Sequence, residues 1–384
     1  MQLRQHPSIS FWESNSLMNY DYIIVGGGIV GLSTAAELLE RDSTLKVLVL
    51  ERGLFPSGAS TKNAGFACFG SVSELWQDLN QIGEEAMLAL VEKRWKGLGL
   101  LKQRLGERKL GYLNHGGYEL LREQELHYLD QLEQINALLH PVFGTEVYKN
   151  SEESIRQFGF GRESVKGIIE NPFEAQIDTG EMMRNLTSYV SALGARILSG
   201  AEVSDWNLRP AAMEVSVRNP LEENELIFSC SKVAFCTNAF SRKFFPQLEL
   251  APGRGQVLIT EPIEDLKVKG VFHMEEGYYY FRNYGNRLML GGGRNLDFKA
   301  EESLEMKTTD LIMDRLQELM EQVIIPDNSY EIADSWAGIM AFGESKEPIC
   351  QQLDDRLFAA LRLGGMGVAI GSALGQEMAD LLLE

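Results

Sequence analysis

The stretch YDYIIVGGGIVGLSTAAELLE, residues 20–40, changes at three glycines from a run of apolar β-forming residues to a helical pattern. Tyr22 to Val25 predict a strand, and Gly26, Gly28 and Gly31 then follow with the spacing GxGxxG. The next apolar residues recur at the helical positions i, i+3, i+4 and i+7: Leu32, Ala35, Ala36 and Leu39. The stretch therefore predicts a strand, a tight turn and a helix in direct succession.

A turn of this kind is typical of a pyrophosphate site. The first glycine permits the turn, the second lets a phosphate approach the backbone, and the third lets the helix pack on the strand. A second strand, LKVLVL, ends at Leu50, and Glu51 follows it 25 positions after Gly26. A carboxylate there can bind an adenosine ribose and repels a 2′-phosphate. We predict a dinucleotide site, with a glycine turn that serves packing alone as the alternative; the pattern does not separate FAD from NAD.

Composition and motif searches exclude several other classes. The net charge of −19 argues against nucleic acid or an anionic membrane as the main partner. The four cysteines form no CxxC pair and the five histidines no HExxH motif, so neither disulfides nor a metal site are predicted. The 384 residues suggest two or three domains. With no signal-peptide pattern and no apolar run of ~18 residues, we expect a cytoplasmic protein without a membrane span.

The residues after Glu51, RGLFPSGASTKNAGFACFG, predict a polar loop punctuated by glycine, unlike the helix usual in an NAD domain. Within it, GASTKNAG resembles the flavin-cradling loop of the D-amino-acid oxidase, glycine oxidase and sarcosine oxidase superfamily of FAD enzymes. Further phrases follow in the order that this superfamily uses: SFWE, FCTNAF (235–240), APGRGQVLITEPI (251–263), LMLGGGRNLD (288–297), WAGIMAF (336–342) and LRLGGMGVAIGSALGQEMADLLL (361–383). The likeness is closest in style to the γ-glutamylputrescine oxidoreductase-like branch.

This resemblance implies an α/β fold in which a Rossmann-like FAD-binding domain is interleaved with an α+β substrate domain built on a largely antiparallel sheet. The implied FAD-binding segments are 20–75, 176–245 and 335–384. The implied substrate-domain segments are 76–175 and 246–334, and residues 1–19 are an N-terminal extension. The flavin ring is expected at the interface of the two domains, where small-molecule sites often lie.

The resemblance also implies which residues hold FAD. They lie in the glycine turn, at the end of the second strand, in the polar loop and in the later phrases: Gly26, Gly28, Ile29, Val30, Gly31, Glu51, Arg52, Ala59, Ser60, Asn63, Ala64, Gly65, Val203, Thr237, Asn238, Gly338, Gly364, Gly365, Met366, Gly367 and Val368. The last five open a second glycine-led helix, which in the family faces the pyrimidine side of the flavin. Its positive end would stabilise negative charge that gathers there on reduction.

We expect FAD to be bound without a covalent link. The cysteine that tethers FAD in the sarcosine oxidase branch would fall near Ile339 or Met340, and this chain has no cysteine there. The polar loop offers Asn63 in place of a histidine. No metal is implied.

The implied reaction is hydride transfer from the carbon next to an amine to flavin N5, leaving an imine that water hydrolyses. Three polar groups of relatives are replaced here: a carboxylate-gripping arginine by Met340, a lysine of the C-terminal glycine phrase by Ala369, and a lysine tied to oxygen reaction by Met289. No catalytic side chain is assigned. The candidate pocket residues are Phe66, Arg254, Tyr278, Tyr280, Arg294 and Met340, with the two arginines as candidate anion grips.

The favoured hypothesis is an FAD-dependent amine or amino-acid oxidoreductase. The partner would be a small amine or amino acid, and either an acceptor protein or oxygen would take the electrons. The alternatives are a flavin-binding protein whose catalytic half has decayed, an oxidase of the sarcosine or glycine type, and an NAD-dependent dehydrogenase.

Overall fold

The glycine turn ends a central strand of the first of two large sheets in the computed structural model, which describes residues 9–161, 163–219 and 224–384. The predicted strand is longer than expected, Asn19–Val25, and pairs in parallel with Glu225–Phe235 and Val47–Leu50. Residues 1–8 of the predicted N-terminal extension lie outside the described part of the chain. Across this sheet the order is Ile349–Asp354, Leu357–Leu361, Glu225–Phe235, Asn19–Val25, Val47–Leu50 and Arg196–Leu198. Met213–Arg218 also pairs with Glu225–Phe235, and Val203–Leu208 pairs in turn with Met213–Arg218.

The second sheet is antiparallel except for one parallel pair, Val271–Met274 with Gly117–Leu121. Its order is Ile332–Phe342, Ala251–Thr260, Arg287–Gly292, Tyr279–Tyr284, Val271–Met274, Gly117–Leu121, Gly167–Asn171 and Lys149–Asn150. A short third sheet joins Phe66–Ala67 to Ala175–Gln176. The predicted fold class, a Rossmann-like unit combined with a largely antiparallel sheet, is therefore confirmed.

The strands do not follow the predicted segments everywhere. The region 76–175, implied to belong to the substrate domain, does supply Gly117–Leu121 and Gly167–Asn171 to the second sheet. The strand Ile332–Phe342 also belongs to the second sheet, although the segment implied for FAD binding begins at residue 335. The division into FAD-binding and substrate domains remains a prediction.

Helices cover both sheets and connect them. The α-helices are Phe11–Ser16, Ile29–Arg41, Val72–Ile82, Glu84–Leu105, Glu107–Leu110, Leu132–Phe143, Glu153–Phe158, Thr179–Ala192, Phe298–Glu301, Asp310–Leu319 and Gly367–Leu383. Shorter 3₁₀ segments are Ala59–Thr61, Glu123–Gln131, Asn238–Lys243 and Arg294–Leu296, and a π-helical turn covers Met320–Ile324. Within the described residues no helix is both long and apolar enough to cross a membrane.

The two helices that begin at glycine-rich turns cross each other closely. A Cβ at Gly371 would lie 2.7 Å from Ile29, and a Cβ at Gly375 would lie 2.5 Å from Ser33, so only small residues fit at the crossing. The hydroxyls of Ser33 and Ser372 lie 3.1 Å apart there and hydrogen-bond. This packing directs the N-termini of Ile29–Arg41 and Gly367–Leu383 toward the same cavity.

Candidate active site

The cavity has a volume of about 700 Å³ and begins at the first glycine turn. Gly26 has a φ of +110°, which side chains rarely tolerate, and a Cβ there would lie 2.7 Å from the carbonyl oxygen of Cys236. Gly28 precedes the helix and lines the cavity. Gly31 does not line it; a Cβ there would clash with the carbonyl oxygen of Gly26, so this glycine serves the contact between helix and strand.

The carboxylate of Glu51 is fixed at the cavity wall by backbone amides. One oxygen accepts a hydrogen bond from the N–H of Gly27 at 3.0 Å, and the other accepts one from the N–H of Gly53 at 2.8 Å. The residue is only 7% exposed. Each carboxylate oxygen has further acceptor capacity, so the group remains able to bind hydroxyls of a ribose.

The polar loop folds over the helix N-terminus. The hydroxyl of Ser60 accepts a hydrogen bond from the N–H of Ile29 at 3.0 Å, which places an oxygen acceptor where this helix end attracts a phosphate. Asn63 shapes the loop: its amide nitrogen donates to the carbonyls of Ala59 and Ser60, both at 3.1 Å, and its oxygen accepts from the N–H of Gly65 at 2.8 Å. The loop is therefore held in place by its own hydrogen bonds.

The second glycine turn borders the same cavity. Gly364 and Gly365 have φ values of +55° and +86°, and the helix Gly367–Leu383 starts directly after them. Met366, Gly367 and Val368 line the cavity wall. Two helix N-termini with positive dipole ends therefore face one cavity, as the resemblance implies.

This arrangement fits FAD. Glycines stand where the backbone must come close to a ligand, a carboxylate is held ready for the ribose, and two helix ends can face anionic groups. Of the residues implied to hold FAD, all but Gly31 line the cavity: Gly26, Gly28, Ile29, Val30, Glu51, Arg52, Ala59, Ser60, Asn63, Ala64, Gly65, Val203, Thr237, Asn238, Gly338, Gly364, Gly365, Met366, Gly367 and Val368. Their contact with FAD itself remains a prediction.

Aromatic side chains from the second sheet form the other end of the cavity. Tyr278 and Tyr280 line it, while Tyr279, on the opposite face of the strand, is buried in the core. The ring of Phe66 meets that of Tyr280 edge to face, with centroids 5.6 Å apart. Burial raises the pKa of the Tyr280 phenol to about 12, so this hydroxyl is neutral at pH 7.

The two candidate anion grips have different environments. Arg294 lines the cavity, and its guanidinium stacks on Phe342 at 3.7 Å and on Phe298 at 4.9 Å. Arg254 does not line the cavity: its Nε and Nη2 bind both oxygens of the buried Glu301 at 2.9 and 2.7 Å. A guanidinium held by both oxygens of an internal carboxylate has no pair of donors left for a substrate, so the prediction of Arg254 as an anion grip is wrong.

The replaced positions are apolar in the structure. Met340 lines the cavity; a Cβ at Gly365 would lie 3.6 Å from its sulfur. Ala369 also lines the cavity, at the first turn of its helix. Met289 lies outside the lining in a small apolar cluster with Ala64 and Val257.

Sequence reasoning missed a polar group in the cavity wall. His273 lines the cavity, and its Nε2 lies 2.9 Å from the carboxylate of Glu174. Cys68 lines it too, and the ligand atoms of these three buried residues lie within 4.8 Å of one another. No local spacing connects the three positions. The only sequence signal was that Cys68 comes shortly after the flavin loop GASTKNAG, separated from it by Phe66 and Ala67.

Charge in this wall is dominated by carboxylates. Burial alone lowers the pKa of His273, but the adjacent charge and hydrogen bond of Glu174, with Glu74 and Glu119, raise it to about 9. Burial raises the pKa of Glu119 to about 7, against the opposing effect of hydrogen bonds from Ser73. His273 is therefore mostly an imidazolium at pH 7.

Comparisons with known proteins agree with this geometry. The family model described as DAO, FAD dependent oxidoreductase, matches residues 21–381. A glycine oxidase of Geobacillus kaustophilus is 23% identical over 383 residues, which cover 94% of this chain and 93% of that protein. The bifunctional protein ThiO/ThiG of Trichormus variabilis is 26% identical over 282 residues, or 68% of this chain, but the match covers only 38% of that longer protein. The crystal structure of L-proline dehydrogenase from P. horikoshii superposes with a TM-score of 0.74 at 18% identity, covering 95% of this chain and 93% of that one.

Proposed function

The chain belongs to the DAO family of FAD-dependent oxidoreductases, and from this premise we propose that it oxidises the CH–NH bond of an amine or amino acid that carries an anionic group bound by Arg294. The bound FAD would accept the hydride, and the imine left behind would be hydrolysed by water. The names of two similar proteins, glycine oxidase and L-proline dehydrogenase, support amino acids as the substrate class.

One observation carries the substrate proposal: the guanidinium of Arg294 has no carboxylate partner among the described residues. Two other cations of the cavity wall are paired, Lys346 with Asp78 and Arg362 with Glu249. Burial lowers the pKa of Arg294, which reflects the free-energy cost of removing this charge from water. A substrate anion would offset that cost with charge-assisted hydrogen bonds.

The neighbouring side chains favour a substrate larger than glycine. By the resemblance, Met340 stands where an arginine would grip a short amino acid's carboxylate, and a thioether cannot bind an anion in that way. Tyr280 and Phe66 form an aromatic wall that can exclude water from the reacting carbon. We therefore infer a longer primary or secondary amine, or an amino acid whose anionic group extends to Arg294.

The test is anaerobic bleaching of the flavin absorbance of the purified protein by a panel of amines. The panel pairs compounds with and without a carboxylate, at increasing distance between nitrogen and carboxylate, and includes glycine and sarcosine. We expect bleaching to be fastest with a larger, carboxylate-bearing member. Failure of every member to bleach the flavin would overturn the function, and a panel led by glycine or sarcosine would overturn the role of Arg294.

A further inference from the structure

His273 and Glu174 form a buried, hydrogen-bonded pair of the kind that acts in general acid–base catalysis. His273 lies on the strand Val271–Met274 and is 6% exposed, and its ring meets that of Phe66 edge to face with centroids 5.4 Å apart. Its Nε2 lies 2.9 Å from one carboxylate oxygen of Glu174. The other oxygen of Glu174 is buried and has no hydrogen-bond partner within the described chain. A carboxylate held this way fixes the imidazole ring and its tautomer.

The hydrogen bond determines what the other ring nitrogen can do. Because an ionised carboxylate only accepts hydrogen bonds, Nε2 of His273 must carry the proton that is shared with Glu174. In the neutral ring Nδ1 is then an acceptor. No described residue hydrogen-bonds to Nδ1, and the ring lines the cavity, so in the neutral ring, which forms as the pH rises toward 9, this nitrogen can receive a proton from a bound ligand.

Carboxylates face His273 from several elements. Glu174 comes from the chain before the strand Ala175–Gln176, Glu119 from the strand Gly117–Leu121, and Glu74 from the helix Val72–Ile82.

Glu74 and Glu276 also line the cavity, and neither has a cationic partner among the residues described. The nearby cation Arg94 donates to the carbonyl oxygen of Phe69. This wall therefore attracts a positively charged amine.

We propose that Nδ1 of His273 takes the ammonium proton of the amine substrate, with Glu174 as the positioning residue that holds the ring. The proposal rests on the proposed function, CH–NH oxidation. In the step, one N–H bond of the ammonium breaks, its proton goes to Nδ1, and its electron pair stays on the substrate nitrogen. That pair becomes the second bond of C=N as the hydride leaves the adjacent carbon for the bound FAD, the oxidant.

The substrate must lose this proton before it is oxidised, because an ammonium has no lone pair with which to form the imine, and a base beside it speeds that loss. A free amine with a pKa of roughly 10, like that of lysine, is almost entirely protonated at pH 7. Proton transfer is efficient when donor and acceptor have similar pKa values, and the carboxylates around His273 raise its pKa to about 9. The carboxylates of the cavity wall thus bring the pKa of His273 close to that of an amine.

The proximity of Cys68 offers a competing use for the same residues, a metal site of Cys68, Glu174 and His273. Burial raises the pKa of the Cys68 thiol well above its usual range, with the charge of Glu174 acting in the same direction. A neutral thiol is a poor metal ligand. Metal analysis of the purified protein is therefore part of the test.

The first readout does not depend on activity. The chain has five histidines, so ¹⁵N-labelling of histidine and assignment by His273→Gln gives one ring to follow in the FAD-loaded protein. We expect Nε2 to stay protonated and Nδ1 to titrate with a midpoint near 9. Glu174→Gln should lower that midpoint by about one pH unit or more, because it removes the adjacent charge. A protonated Nδ1 in the neutral ring, or an unchanged midpoint, would overturn the proposal.

The second readout is the anaerobic rate of flavin reduction between pH 6 and 10. The wild-type rate should rise with pH through the midpoint of Nδ1, and Glu174→Gln should move this rise to lower pH. His273→Gln should slow reduction by about tenfold or more up to pH 9, with the deficit shrinking toward pH 10 as the amine becomes neutral in solution. His127→Gln is the matched control, since His127 is exposed and outside the cavity lining.

Each failure has a distinct meaning. If the wild type is reduced but His273→Gln keeps the wild-type rate, or loses the same factor at every pH, the proton-transfer role is overturned and the proposed function stands. If no amine reduces the wild type, the proposed function falls and this role falls with it. A stoichiometric metal ion that His273→Gln loses would also overturn the proposal, because the metal would occupy the ring nitrogen.

Discussion

The guanidinium carbon of Arg294 lies 3.7 Å from the centroid of the Phe342 ring, and the ring of Phe298 flanks it at 4.9 Å. Aromatic faces stabilise a cation but leave its hydrogen-bond donors unused. Arg254 shows the contrast: both oxygens of Glu301 engage it, and it lies outside the cavity lining. Of these two arginines, the one that stacks on rings is therefore the one equipped to receive an anion from a ligand.

Replacing Arg294 tests this assignment. We expect Arg294→Gln to weaken the binding of carboxylate-bearing substrates by roughly 10- to 100-fold, since charge-assisted hydrogen bonds contribute about 1.5–3 kcal/mol. Substrates without the anionic group should be affected little. The measurement is the substrate dependence of anaerobic flavin reduction, with Arg242→Gln, an exposed arginine outside the cavity lining, as the control. Equal losses for both substrate classes would show that Arg294 holds the fold and not the substrate.

Gly28 tests the assignment of the FAD site. Its backbone conformation is an ordinary one, and a Cβ would lie 3.1 Å from the hydroxyl of Ser60, so the fold should tolerate a side chain there. A valine would nevertheless occupy the place of the pyrophosphate, and we expect Gly28→Val to purify folded but colourless. Gly99→Val, at an exposed helix position with nothing within 4 Å of its Cβ, should remain yellow. The flavin absorbance per folded protein decides between the two outcomes.

The elements that could be predicted are those whose signal is local. The glycine turn, Glu51 at the end of a strand and the second glycine-led helix can each be recognised from a few neighbouring residues. The structure brings all three to one cavity. The alternation of Tyr278, Tyr279 and Tyr280 likewise follows from strand geometry.

What could not be predicted depends on partners distant in sequence. Arg254 is neutralised by Glu301, 47 positions away, and His273 is held by Glu174, 99 positions away. Nothing near Arg254 in sequence distinguishes it from Arg294. The fold alone decides which arginine is paired and which histidine reaches the cavity.

The buried pair of His273 and Glu174 should make stability depend on pH. The pKa of His273 is about 9 in the folded chain and about 6.5 for an ordinary histidine, so its contribution to stability is full below pH 6.5 and is lost as pH rises through 9. We expect the wild type to lose on the order of 3 kcal/mol more unfolding free energy than His273→Gln between pH 6 and 9.5. Urea unfolding at fixed FAD concentration measures this. Parallel curves for the two proteins would exclude a raised pKa for His273.

Reaction with oxygen should be slow. The resemblance matches a lysine tied to this reaction to Met289, which is packed in an apolar cluster. Three other cations have carboxylate partners: Arg254 has Glu301, Lys346 has Asp78 and the His273 imidazolium has Glu174. Because a preorganised positive charge stabilises developing superoxide, we expect the substrate-reduced protein to reoxidise slowly in air and quickly with an artificial acceptor. Stopped-flow reoxidation in air-saturated buffer is the measurement, and a rate equal to turnover with the best acceptor would identify an oxidase.

The central claim, oxidation of a CH–NH bond by this chain with FAD, is tested most directly by a single anaerobic turnover with product analysis. The FAD-loaded protein is mixed with an equimolar amount of the best amine of the panel, once with hydrogen and once with deuterium on the carbon next to nitrogen. We predict loss of the flavin absorbance together with one carbonyl product and one released amine or ammonia per FAD, at a rate that deuterium slows several-fold. Recovery of the amine unchanged, or bleaching without a carbonyl product, would contradict the claim.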